Sequence, residues 1–139
     1  MKPFYFAILA ALTWGVAPIL EKAGLTNIPP LAGVVIRCYG VIIGCIALIA
    51  FNNALLKQAL RADIKTIVFL IMGGIVASIV GQIFFYSALK EGEASRLVPI
   101  GGTYPLVSFL LGLIFFGESF TLAKALGMVF VILGVFLLR

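Results

Sequence analysis

Polar side chains at regular spacing interrupt two apolar runs in the second half of the chain. Ser78, Gln82 and Tyr86 follow one another at intervals of four, so on an α-helix they would share one face. Thr103 and Tyr104 are adjacent in the next apolar run. If these runs cross a membrane, each amide or hydroxyl must find a partner on another helix or in water. These side chains could bond to one another between helices, but we expect them to line a polar cavity that binds a solute.

Two further features of the apolar runs bear on such a cavity. Trp14 brings an aromatic face to the first run, and aromatic faces stack on solutes and attract cations. The run that contains Thr103 also carries residues that weaken helical hydrogen bonding, namely Pro99, Gly101, Gly102 and Pro105. Pro105 has no N–H for the carbonyl of residue 101, and its ring disrupts that turn. We therefore predict that Trp14 joins the cavity lining and that the fourth helix flexes beside it.

Arg37 is the formal charge that lies deepest in an apolar run, roughly 9 Å of helix from its nearer end. A charge at the centre of a spanning helix costs about 2.5–3.5 kcal/mol on insertion scales. The side chain is long enough to reach the headgroups, which is one interpretation. The other is that Arg37 lines the cavity and attracts an anionic group of the substrate.

The sequence is poor in the chemistry of catalysis and of metal binding. It has no His, and its five carboxylates lie near the ends of apolar runs: Glu21, Asp63, Glu91, Glu93 and Glu118. No nucleophile with a base, no metal-ligand spacing and no glycine-rich nucleotide loop occurs. We therefore predict that the protein is not an enzyme and that it uses neither a metal nor another cofactor. A buried carboxylate that could exchange a proton for a cationic drug is also missing from the middle of the runs.

Composition indicates that the chain lies in a lipid bilayer. Of its 139 residues, 63% are hydrophobic and 11% are charged, whereas globular domains are about 45–50% apolar and about 25% charged. The formal net charge is +5. However, the basic residues stand singly at the ends of apolar runs, where they anchor helices in headgroups and form no phosphate-binding patch. We predict an integral membrane protein that does not bind nucleic acid, in a bacterial-type cytoplasmic (inner) membrane.

Hydropathy divides the chain into five apolar segments, which we predict to be five transmembrane helices in a single domain, residues 1–139. Each has the length that about 30 Å of hydrocarbon requires. The segments are residues 4–20, 31–51, 66–89, 94–116 and 122–138. The connection from Asn52 to Lys65 is the longest and is typical of a short amphipathic helix at the interface. The chain ends directly after the last segment, so we expect no further domain.

The distribution of Lys and Arg, which normally sets orientation in a membrane, is balanced. Five basic residues fall on each side of a five-span chain: Lys2, Lys57, Arg61, Lys65 and Lys124 against Lys22, Arg37, Lys90, Arg96 and Arg139. Such a chain is expected to insert in both orientations, unless the balance is a coincidence. Two opposite copies would then pair as an antiparallel ten-helix homodimer with a site near the midplane, as in inverted-repeat transporters.

Small residues predict where helices approach closely, because lipid provides no hydrophobic drive for helix association. Gly73, Ala77 and Gly81 recur every four residues in the third segment, and Gly127 and Gly134 mark a face of the last one. We expect packing along the first row and a dimer contact at the second. A different, structural role is expected for Glu118, which could cap the last helix or pair with Lys124.

The order of several short motifs resembles a single EamA-type repeat of the drug/metabolite transporter superfamily, over almost the whole chain. The matching residues are Trp14-Gly15, Arg37, Tyr86-x-Ala88-Leu89, Ala94-Ser95, Pro105, Gly117-Glu118, Gly127 and Ile132-x-Gly134. This resemblance implies a transporter of small metabolites or drugs, commonly amino acids or related compounds, that works by alternating access. It also implies a ten-helix assembly whose first, third and fourth helices line the cavity in each half.

Most members of that superfamily fuse two five-span halves, whereas this chain has the length of one. We therefore expect either a homodimer or a separately encoded partner half. The favoured interpretation is a dual-topology, homodimeric exporter of a small organic solute, embedded in the bilayer. Two alternatives are a translocase for lipid-linked precursors and a non-transporting subunit of a larger membrane complex.

Overall fold

The computed structural model describes residues 2–138, and all regular structure in that range is helical. The helices are α1 (Lys2–Gly24), α2 (Pro30–Phe51), α3 (Ala54–Leu60), α4 (Ile64–Ile75), α5 (Gly81–Glu91), α6 (Ala94–Gly101), α7 (Tyr104–Phe115) and α8 (Leu122–Leu137). A 3-10 turn, Leu25–Asn27, follows α1, and a π-helical turn, Val76–Val80, joins α4 to α5. The predicted all-α class is confirmed.

Four stretches within residues 2–138 are long and apolar enough to cross a membrane: Lys2–Asn27, Pro30–Phe51, Ile64–Glu91 and Ala94–Phe115. They contain 22 to 28 residues, which corresponds to about 33–42 Å of helix and exceeds the roughly 30 Å of bilayer hydrocarbon. Helix α8 is apolar but has only 16 residues, about 24 Å. The chain is an integral membrane protein with four candidate spans and a shorter apolar helix, and a fifth crossing stays a prediction.

Local chemistry explains where several helices begin and end. Pro29 and Pro30 precede and open α2, where a missing N–H costs nothing. Asp63 caps α4 by accepting hydrogen bonds from the Thr66 amide at 2.9 Å and its hydroxyl at 2.6 Å. These bonds favour the ionised form and hold the pKa of the Asp63 carboxyl below its usual value. After α7, Gly117 has φ of +60°, a conformation that residues with a Cβ rarely adopt.

The chain divides into two compact units, and the first ends at Glu91. In this unit α2 packs on α5, with α1 and the 3-10 turn beside α5. The buried apolar side chains are Leu25, Val34, Tyr86 and Leu89, which all lie where α1 ends, α2 begins and α5 ends. Most large apolar side chains along the rest of the helices are exposed in the isolated chain. Such surfaces suit lipid or another transmembrane helix.

Two of the candidate spans are interrupted in their interior. The third has the π-helical turn Val76–Val80 between α4 and α5. The fourth is interrupted at Gly102 and Thr103, between α6 and α7, next to the predicted weak point at Pro105. There the Thr103 hydroxyl donates to the Ile100 carbonyl at 2.7 Å, which is a local substitute for a helical hydrogen bond. Interruptions at membrane depth are tolerated where side chains or a cavity satisfy the backbone.

In the second unit, which begins at Gly92, the carboxylate of Glu118 lies over Gly112 of α7. A Cβ at Gly112 would lie 3.1 Å from the Glu118 Cδ, and the Glu118 amide donates to the Gly112 carbonyl at 3.2 Å. The expectation that Glu118 caps the last helix is wrong. Thr121 caps α8 instead, and the Lys124 ammonium donates to the Ser119 carbonyl at 2.9 Å. Glu118 therefore folds back on α7 because glycine leaves room for it.

Candidate functional site

A cleft of about 320 Å³ opens in the first unit where α1 ends and α2 begins. Its apolar walls include Leu20, Ile28 and Ile36, and its polar groups belong to Glu21, Arg37 and Tyr86. Ligand pockets commonly have volumes of about 300–1,000 Å³ and combine apolar walls with a few placed polar groups. The cleft has the volume of a small ligand site, but it is open, and two of its wall residues, Leu20 and Ile36, are more than half exposed.

Gly33 determines how closely the three helices around the cleft approach one another. It is buried in the first turn of α2, against Leu25 and Tyr86. A Cβ at this position would lie 2.6 Å from the Leu25 Cδ2 and 3.1 Å from the Tyr86 Cδ2. The Tyr86 ring, which is 3% exposed, therefore packs directly on the glycine backbone. The absence of a side chain at position 33 therefore allows the Tyr86 ring to lie where it does beside the cleft.

Glu21 and Arg37 form an ion pair inside the cleft. The Arg37 Nε donates to the Glu21 Oε1 at 3.3 Å, and the side chains are only 29% and 15% exposed, respectively. The other end of the guanidinium is less satisfied. Arg37 Nη1 is enclosed and has no hydrogen-bond acceptor among residues 2–138. The structure thus directs Arg37 into the cleft, beside a carboxylate that the sequence interpretation had assigned to a helix end.

Two lysines connect the C-terminal ends of α1 and α5. Lys22 Nζ of α1 donates to the Leu89 carbonyl of α5. In the opposite direction, Lys90 Nζ donates to the carbonyls of Leu25 at 2.6 Å and Thr26 at 2.8 Å. Carbonyls at a helix C-terminus lack intrahelical donors and carry partial negative charge, so ammonium groups stabilise them. This reciprocal pair of contacts, the lysine clasp, holds α1 against α5 next to the cleft.

The polar residues of the third span lie in different parts of the helix, and all three are at least partly buried. Tyr86 lies in the cleft, while Ser78 lies within the π-helical turn and Gln82 in the first turn of α5. That the three share one solute-lining face stays a prediction. The Gln82 Oε1 is enclosed and has no donor within residues 2–138. That amide is therefore available to a further group.

The other predicted residues lie outside the cleft. Trp14 is 63% exposed on α1, one turn before the buried Pro18. In the second unit, Tyr104 is 56% exposed at the start of α7 and Thr103 is half-buried in the interruption before it. The structure brings Arg37 and Tyr86 together in one cleft. It does not bring Trp14, Ser78 or Gln82 into that cleft.

Sequence reasoning missed the partners of these two residues. Glu21 was treated as a residue at a helix end, although the short turn after α1 makes α2 return alongside it. The lysine clasp and the Gly33 contact join segments about fifty to seventy positions apart, and nothing local in the sequence indicates them.

Comparisons with known proteins agree on one family. The sequence profile of the EamA-like transporter family matches residues 1–139. A protein of Methanocaldococcus jannaschii, described as uncharacterized, is 28% identical over 94% of this chain and 91% of its own length. An uncharacterized transporter of a Sinorhizobium species, named for the cobO 3′ region, is 27% identical over 96% of this chain and 94% of its own.

An uncharacterized transporter of Clostridium kluyveri is 27% identical over 93% of this chain but only 41% of its own length, so this chain spans less than half of that relative. No solved structure matches the chain.

Proposed function

Because the chain belongs to the EamA-like transporter family, we propose that it is a dual-topology homodimer that exports a small organic solute by alternating access. The family and the four candidate spans make it a membrane transporter. The proposal adds the pairing, the direction and the solute class, and it assigns the protein to the cytoplasmic membrane of a bacterial-type cell. The single observation that carries it is the family match over residues 1–139.

Two observations support pairing of opposite copies. On the predicted five-span topology, the basic residues divide five to five between the two sides, so no loop charge would fix the orientation. In addition, the Clostridium kluyveri transporter is more than twice as long as the region that matches this chain. A second copy of this chain would provide a comparable length of membrane protein, and opposite insertion would give the symmetry of an inverted repeat.

The proposed route passes the polar groups of the third and fourth spans. Gln82 would use its unpaired Oε1 to bind the solute, together with Ser78, Thr103 and Tyr104, while Trp14, Tyr86 and Arg37 would extend the lining. The interruption between α6 and α7, flanked by Pro99, Gly101, Gly102 and Pro105, would let the fourth span bend during transport. Polar groups without a hydrogen-bond partner are costly at membrane depth. The cost favours a role in solute binding for such groups in the third and fourth spans.

The test is flux of a panel of metabolites from vesicles reconstituted with the purified protein. For the solute that is transported, Gln82→Ala and Tyr104→Ala are each expected to lower flux at least tenfold, which corresponds to about 1.4 kcal/mol for one lost polar contact. Gln58→Ala and Tyr39→Ala are matched controls, because both wild-type side chains are exposed elsewhere. Normal flux in both site variants would remove these residues from the route, and no flux of any solute would contradict the proposed function.

A further inference from the structure

We propose that the cleft between α1, α2 and α5 is a binding site for the carboxylate group of a small, largely apolar monoanion, with Arg37 as its donor. The inference deepens the proposed function and rests on it in one respect, the assumption that the ligand is a solute rather than a lipid. It starts from Arg37 Nη1, a guanidinium nitrogen that the fold encloses and that has no acceptor within residues 2–138. Burial of a cationic donor is stabilised when an anionic oxygen accepts from it.

The Glu21 carboxylate beside Arg37 limits which anions can accept a hydrogen bond from the guanidinium. Glu21 already accepts from Nε, but this pairing with Arg37 is a single contact of 3.3 Å, longer than a typical charge-assisted bond of about 2.7–2.9 Å. A guanidinium and a carboxylate fit best as a planar pair with two parallel hydrogen bonds. An incoming carboxylate therefore has donors to use at Arg37. A dianion such as phosphate would be repelled by the Glu21 carboxylate beside it.

The walls of the cleft indicate the rest of the ligand. Leu20, Ile28 and Ile36 contribute hydrocarbon to the lining, and the volume of about 320 Å³ is at the small end for ligand sites. A short aliphatic or aromatic body would lie against these side chains while its carboxylate reaches Arg37. The Tyr86 ring, which packs on Gly33 and is nearly fully buried, completes the lining.

In this arrangement Glu21 is an internal competitor for Arg37, and this gives the two residues opposite effects on binding. Neutralising Glu21 frees the guanidinium and should tighten carboxylate binding. Neutralising Arg37 removes the donor and should abolish it. A purely structural ion pair would behave differently, because loss of either partner would disturb the cleft and weaken binding in the same direction.

The experiment is calorimetric titration of hexanoate into the full chain in phosphatidylcholine nanodiscs. Saturable binding of hexanoate is expected, with no saturable binding of hexanol or inorganic phosphate. Glu21→Gln should bind hexanoate roughly three- to tenfold more tightly, and Arg37→Gln at least tenfold more weakly, as expected for one hydrogen bond to a charged group. Arg61→Gln is the matched control, because Arg61 is exposed at the end of α3, and it should bind like the wild type.

Several results would overturn the assignment: equal binding of hexanol, unchanged binding by Arg37→Gln, or weaker binding by Glu21→Gln. If Arg37→Gln fails to fold, Arg37→Lys replaces it, and that variant should lose most of the affinity because an ammonium lacks the planar fork. In nanodiscs that contain phosphatidylglycerol, undiminished hexanoate affinity supports a solute site. Competitive loss of affinity would assign the cleft to a lipid phosphate and overturn the solute assignment.

The two proposals can fail separately, because binding does not require transport. Hexanoate binding without flux of any solute would contradict the proposed function alone. Flux without hexanoate binding would contradict this inference alone.

Discussion

Gly33 shows at the level of one residue how a small side chain permits the arrangement around the cleft. The space that a methyl group at position 33 would need is filled by the side chains of Leu25 and Tyr86, which are both nearly fully buried. The consequence of adding a methyl group here is therefore overpacking rather than improved helix propensity.

We predict that Gly33→Ala destabilises the protein by about 1–3 kcal/mol, the usual cost of overpacking a tight contact. Gly40→Ala on the same helix is the control, because nothing lies within 4 Å of a Cβ there. It should be neutral or slightly stabilising, since alanine is the better helix former. Thermal unfolding followed by size-exclusion chromatography compares the two. Leu25→Ala combined with Gly33→Ala should cost less than the sum of the single changes, and additive losses would show that the two side chains do not compete for space.

At the level of elements, the fourth span depends on the chemistry of its interruption. Pro105 follows the Gly102–Thr103 break, and the amide that position 105 lacks would otherwise donate to the carbonyl of residue 101. The hydrogen bond from the Thr103 hydroxyl and a few turn-type backbone hydrogen bonds partly replace the helical hydrogen bonds that are lost there. The interruption thus results from sequence, whereas its use as a point of bending is a proposal.

Pro105→Ala tests that proposal, because it restores the missing donor and should make α6 and α7 more nearly continuous. We expect slower amide hydrogen exchange at residues 102–106 and a several-fold lower flux of the transported solute, with stability unchanged or raised by up to about 3 kcal/mol. Pro30→Ala is the matched proline control. At the first position of α2 a missing N–H is not needed, so neither exchange nor flux should change. Faster exchange after Pro105→Ala would contradict the proposed role of the proline.

The elements also show how far the sequence alone could go. The class, the four candidate spans and the weak point near Pro105 follow from hydropathy and from proline and glycine chemistry, which act over a few residues. The π-helical turn at Val76–Val80 could not be foreseen, because its sequence is an ordinary apolar stretch. The cleft was missed for a related reason. Its ion pair and its lysine clasp depend on which helices pack together, and a single chain read in order contains no direct signal for that.

At the level of the whole molecule, the ion pair changes the argument about orientation. Counted as free charges, the basic residues balance five to five. Arg37, however, is paired with Glu21 inside the first unit, and a neutral pair exerts little pull toward either side. The count then becomes five to four, which is still too small a bias to fix one orientation.

The proposed five-span topology also requires helix α8 to cross the bilayer. Because the helix is short, the bilayer would have to thin by several ångströms around it, which costs little free energy.

Orientation should therefore be controlled by a few loop charges. Removing three basic residues from one side with Lys57→Gln, Arg61→Gln and Lys65→Gln leaves two against four when Arg37 is not counted, whereas Arg96→Gln with Gln58→Lys gives six against three in the opposite sense. We predict that each variant inserts in a single orientation, opposite to that of the other, while the wild type inserts in both. Fluorescent-protein and alkaline-phosphatase fusions at the C-terminus measure this, since the first fluoresces only in the cytoplasm and the second is active only outside it.

The proposed antiparallel dimer makes a stronger prediction from the same two variants. Expressed alone, each should lose most of its transport, because every copy points the same way and an inverted pair cannot form. Expressed together, they should restore flux toward the wild-type level, since opposite copies are again present in one membrane. None of the substituted residues lines the cleft. Full activity of one variant alone, with its single orientation verified, would show that the transporter works without an inverted partner.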